Sequence, residues 1–133
     1  VEYLVVGGYA LAAHGHPRYT GDLDLWIGTQ PQNIGRLLNA LDSFGFGSLG
    51  LSAADFAAPD IVVQLGYPPG RIDLLTGIDG VEFESCFGRR QVVALGEVRL
   101  PIIHVDDFKI NKRATGRLQD LADLQALEGG EPD

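Results

Sequence analysis

The chain has 133 residues, 45% of them hydrophobic, which is enough for one compact core and too few for two independent ones. Ten Lys and Arg against 18 Asp and Glu leave a formal charge of -8, which argues against broad, sequence-independent wrapping of DNA or RNA but leaves room for a small metal-chelated anion. The lone cysteine, Cys86, cannot make an internal disulfide, no apolar run approaches the roughly 20 residues that cross a bilayer, and no signal peptide is visible, so a cytoplasmic chain without a membrane partner is expected.

In chain order, Tyr3 to Val6 reads as a buried strand ending at the Gly7-Gly8 turn. Because the chain opens directly on this strand, natural sequence is expected to precede Val1. Tyr9 to His14 favour a short helix stopped by Gly15 and Pro17, and Asp22 to Ile27 alternates before becoming wholly apolar, as a strand does when its first residues line a cleft. A helix starting between Thr29 and Pro31 carries Ile34, Leu37, Leu38, Leu41 and Phe44 at helical spacing. Residues 48–60 look irregular. Ile61 to Leu65 and Arg71 to Leu75 suggest two hairpin-like strands, Glu82 to Phe87 a short helix, and Gln91 to Leu95 with Val98 to Ile102 a second hairpin. From Val105 to Leu127 the pattern is helical with a break near Gly116, and residues 129–133 form a frayed tail. The expected architecture is a single α/β (α+β) domain over residues 1–133, a small mixed β-sheet flanked by helices with a C-terminal helical pair.

Carboxylates two residues apart on a strand point the same way, about 6 to 7 Å apart, and can grip cations between them. Asp22 and Asp24 have that spacing, and a strand as apolar as theirs makes simple solubilisation the poorer explanation, because buried carboxylates need pairing or a cation. Asp73, inside Arg71-Ile72-Asp73-Leu74-Leu75, is a candidate third ligand or general base, the plain alternative being an acid paired with Arg71. Gly7 and Gly8 allow a ligand close to the backbone where a helix N-terminus favours an anion. Lys109, Lys112, Arg113 and Arg117 form a basic cluster that is either a phosphate or partner contact or a solvated face. Asp120 and Asp123 are expected to pair with Arg117 or Arg113 and fix the last helix. His14, His16 and His104 lack the spacing of a zinc site.

Together, Gly7-Gly8, Asp22-Leu23-Asp24-Leu25 and a later Asp73 resemble the DNA polymerase beta nucleotidyltransferase superfamily. The runs Tyr3 to Ala10, Arg18 to Asp24, Arg71 to Leu75 and Lys112 to Asp123 look most like small bacterial nucleotidyltransferases of the AbiEii-like and toxin-antitoxin types. The resemblance extends from Tyr3 to about Leu127 and implies a nucleotidyltransferase fold. It further implies that Asp22, Asp24 and Asp73 hold two magnesium ions, or manganese, with Asp73 alternatively activating the acceptor hydroxyl. Gly7, Gly8, Arg18, Thr20, Lys112 and Arg117 would bind the nucleotide. Relatives usually carry helical sequence ahead of the first strand, absent here.

The implied activity is transfer of a nucleoside monophosphate from an NTP to a hydroxyl on a protein, RNA or small molecule, with pyrophosphate release, in a toxin-antitoxin setting with a cognate toxin or antitoxin as partner. An antibiotic-modifying enzyme is the alternative within that class. A non-catalytic nucleotide- or partner-binding module, such as an antitoxin, is the alternative outside it.

Overall fold

The computed structural model describes residues 1–16, 21–66 and 70–129. Strand β1 (Tyr3–Val6) has its last three residues buried, as its unbroken apolar run requires of a central strand, and it runs directly into α1 (Gly7–Ala13). The glycine pair is therefore the first turn of the helix rather than a turn ahead of it. Strand β2 (Leu23–Ile27) returns antiparallel to β1 and places Asp24 opposite Val6.

Helix α2 (Pro31–Ser43) starts with Pro at its first turn, where no backbone N–H is needed, and buries Ile34 and Leu37. Its origin is pinned by the buried Asn33. That side chain donates to Gly28 O at 2.7 Å and Glu2 O at 2.9 Å, and accepts from Glu2 N–H at 2.6 Å. The stretch expected to be irregular contains two 3₁₀ turns, Gly47–Leu49 and Ala53–Phe56, the second burying Phe56.

Strands β3 (Val62–Leu65) and β4 (Ile72–Leu75) form the antiparallel pair expected from the sequence. β4 lies parallel to β2, with Asp73 opposite Asp24. After α3 (Phe83–Gly88), β5 (Gln91–Leu95) and β6 (Val98–Ile102) make the second hairpin, and β6 joins the other side of β1 in parallel. The six strands lie in the order β3-β4-β2-β1-β6-β5, a mixed sheet as anticipated.

Helices α4 (Val105–Thr115) and α5 (Leu118–Gly129) are the C-terminal pair. His104 caps α4 by accepting the Asp106 N–H at 3.0 Å, and Gly116, at φ 69°, ends it in the left-handed conformation that suits glycine. Two apolar clusters stabilise the sheet. One gathers Leu4, Ala10, Leu11, Trp26, Cys86, Ile103 and Phe108, and the other gathers Ile27, Ile34, Leu37, Phe56, Leu65 and Leu74. Among the described residues no helix is long and apolar enough to cross a membrane.

Candidate functional site

The two central strands bring the three acids together. Leu23 to Trp26 pair in register with Ile72 to Leu75, so Asp24 and Asp73 are lateral neighbours, and Asp22 immediately precedes β2. A cation already stands between two of the acids. Arg71 donates from Nε to Asp73 Oδ1 at 2.8 Å and from Nη2 to Asp73 Oδ2 at 3.1 Å, and the same Nη2 donates to Asp22 Oδ2 at 2.8 Å. The pairing of Asp73 with Arg71 that the sequence allowed is thus present, and it extends across the sheet to Asp22.

Asp24 completes the group. Its carboxyl is pushed up to about 6, first by burial and then by the charge of Asp73, a hydrogen bond shared with Asp73, and the charge of Asp22, against a lowering by Arg71.

Gly7 lies directly above this carboxylate. Its φ is 69°, and a Cβ built there would overlap Asp24 Oδ2, so the position excludes a side chain on both counts. Gly8 is buried in the same turn. The helix these glycines open has only seven residues and no side-chain cap at its start, so its dipole adds little beyond the close backbone approach.

From Asp24 a cavity of about 310 Å³ extends toward α4, lined among others by Gly7, Asp79, Asn111, Lys112, Thr115 and Arg117. The turn at residues 79–80 closes one side. Asn111 Nδ2 donates to Asp79 O at 3.0 Å, and Gly80, at φ 84°, approaches α4 so closely that a Cβ would press on Ala114. The volume sits at the lower end of the range for small-molecule sites.

Of the basic residues, Lys112 and Arg117 reach this cavity, in different states. Lys112 is buried and bridges α4 to α5, with Nζ 3.0 Å from Asp120 Oδ1 and 3.0 Å from Asp123 Oδ2. Its ammonium is committed to two carboxylates, so the solvated-face alternative does not describe it. Arg117 also pairs with Asp120, Nε to Oδ2 at 2.6 Å, but its side chain is 74% exposed at the rim. Arg113 lies on the outer surface against Glu128. The expected role of Asp120 and Asp123 in fixing the last helix is met, with Lys112 as the shared partner in place of Arg113. Arg18 and Thr20 lie outside the described residues.

Among the described residues, no three His, Cys, Asp or Glu side chains are arranged so that they could hold a metal ion as they stand. Arg71 holds oxygens of Asp22 and Asp73 in this arrangement. The chemistry of the donors nonetheless fits a hard divalent cation. Three carboxylates from adjacent segments supply only oxygen, the donor type such a cation takes.

Asp79, Asn111 and Thr115 were not expected to build the site, and Arg71 was expected only as a possible partner of Asp73. Asn111 and Thr115, one helical turn apart on either side of Lys112, sit within the basic stretch and were masked by its charges. Cys86 is fully buried, and burial together with the charge of Asp107 pushes its thiol up to about 11, which leaves it inert as a nucleophile at neutral pH. His14 Nε2 lies 2.8 Å from the Ile103 carbonyl. No protein-family model and no curated protein matches the chain.

Proposed function

We propose that the chain is a divalent-metal-dependent nucleotidyltransferase of the DNA polymerase beta type, which moves a nucleoside monophosphate from an NTP to a hydroxyl acceptor. The observation that carries this reading is the in-register pairing of Asp24 with Asp73 on parallel central strands, beside Asp22 and beneath a glycine whose side-chain space the Asp24 carboxylate fills.

Asp22, Asp24 and Asp73 would hold magnesium. When bound, the metal would neutralise phosphate charge and favour the hydroxyl's ionisation. The remaining work belongs to the chain. Gly7 and Gly8 let the phosphates approach the backbone, and the cavity beside Asp79 and Asn111 receives the nucleoside end. Arg117, exposed at the rim, can turn a guanidinium toward a phosphate oxygen. Lys112 acts by fixing α5 to α4 and so shaping the wall. Asp73 accepts the proton of the acceptor hydroxyl as its oxygen bonds to the α-phosphorus, the α–β phosphoanhydride bond breaks, and pyrophosphate departs.

The test is pyrophosphate release from each of the four NTPs with magnesium, offered protein, RNA and aminoglycoside-type small-molecule acceptors. Turnover that disappears in Asp22→Ala and Asp24→Ala supports the reading. Nucleotide affinity without turnover for any acceptor supports a binding module instead. A toxin-antitoxin setting follows from the family resemblance, and its check is co-purification of the chain with the product of a neighbouring gene.

A further inference from the structure

Arg71 belongs to no step of the reaction above, yet it makes the densest set of charged contacts at the site. Its guanidinium binds Asp73 through two nitrogens and reaches Asp22 across the strands, satisfying one oxygen of Asp22 and both of Asp73. These are oxygens that a divalent cation would need. The side chain is 25% exposed, so its head can move without unpacking the core.

We propose that Arg71 is a built-in stand-in cation, a positioning residue that keeps Asp22 and Asp73 converged when no metal is bound and must leave Asp22 for a divalent ion to enter. The inference rests on the nucleotidyltransferase reading of the three acids. Without a cation among them, three carboxylates this close would repel one another and splay, while a planar guanidinium spans two of them with hydrogen bonds that an ammonium cannot match in number. Metal binding is then an exchange of one cation for another. The divalent ion brings the higher charge and also satisfies Asp24, which Arg71 contacts through no hydrogen bond among those described. Once released from Asp22, the guanidinium must also yield one oxygen of Asp73 to the ion and can keep a single bond to the other, so the exchange is local.

The exchange sets the metal affinity. A unit positive charge several ångströms from a divalent ion, screened by water, weakens binding by about tenfold. Arg71→Met, which keeps the aliphatic stem, should therefore bind Mn2+ at least about tenfold more tightly than the unaltered chain, and Arg71→Gln should do the same. Arg71→Lys restores a charge and should return the affinity most of the way.

The experiment titrates Mn2+ into the full chain and these variants, reading free Mn2+ by electron paramagnetic resonance, with Asp22→Asn/Asp24→Asn as the site control. Tighter binding by the neutral variants, reversed by Lys and abolished in the control, supports the exchange. Equal or weaker binding by both neutral variants, with the control still abolishing it, overturns the role of Arg71 and leaves the metal site standing. Absence of binding in every variant, or binding that survives in the control, overturns the site and the exchange together. Should the neutral variants fail to fold, the unaltered chain decides. Its Arg71 Nε–H resonance should shift on saturation with Mg2+, and a resonance that stays in place overturns the proposal.

Discussion

Replacing Lys112 by Met separates a packing role from a ligand role. The ammonium lies 3.0 Å from a carboxylate oxygen of each of Asp120 and Asp123, and the three side chains are 7%, 2% and 4% exposed. Removing one member of a buried ionic group costs about 3 to 5 kcal/mol, because the charge left behind stays desolvated. Asp120 keeps Arg117 and Asp123 keeps the Gln119 amide at 2.9 Å, which places the loss near the lower end, at about 3 kcal/mol. For a chain of this length that lowers the melting temperature by about 10 °C. Urea unfolding at pH 7 followed by circular dichroism measures it. Adding Asp123→Leu should recover at least half of the loss, since an apolar pair in that space needs no solvation. A change below about 1 kcal/mol, or normal stability with abolished nucleotide affinity, would refute the packing role and return Lys112 to the ligand.

Gly7→Ala combines a left-handed backbone with overlap on Asp24 Oδ2, and should cost about 3 kcal/mol in the same unfolding assay and abolish Mn2+ binding. Asp24 titrates in the folded state at about 6, above its unfolded value, so the folded chain holds a proton that the unfolded chain has released. That contribution is complete below about pH 4 and is lost as pH rises through 6. Asp24→Asn should therefore stabilise the metal-free protein at pH 7.5, by about 1 kcal/mol after allowance for solvent screening, and lose that advantage at pH 4. Cys86 should resist a disulfide reagent at pH 8 until the chain unfolds. Arg89→Ala raises the thiol further and should hasten its labelling only through more frequent opening of the fold, because Asp107, buried against Arg89 by bonds of 3.0 and 2.9 Å, would lose its counter-ion.

The strands and helices followed closely from periodicity and from glycine and proline placement. Pro31 marks the start of α2 and Gly116 the end of α4, both by local backbone chemistry that a linear reading can see. The acids Asp22, Asp24 and Asp73 stood out because charge interrupts apolar strands there, and the register of β2 with β4 brings them together. Arg71 was visible only as a neighbour of Asp73 on one face of a strand. Its reach to Asp22, 49 residues away, depends on the parallel pairing of two strands that are distant in sequence. Lys112 was read within a basic stretch, and a run of charges suggests exposure. Its burial comes from the turn at Gly116, which folds Asp120 and Asp123 back onto it. Asp60, a non-glycine residue at φ 57° beside the cavity, carried no sequence signal at all.

The most direct test of a metal-dependent nucleotide site is isothermal titration of the chain with ATP, GTP, CTP and UTP, with and without magnesium, beside Asp22→Ala/Asp24→Ala. Binding that requires both magnesium and the two acids is the predicted result, and the absence of nucleotide binding by the unaltered chain in magnesium would contradict it.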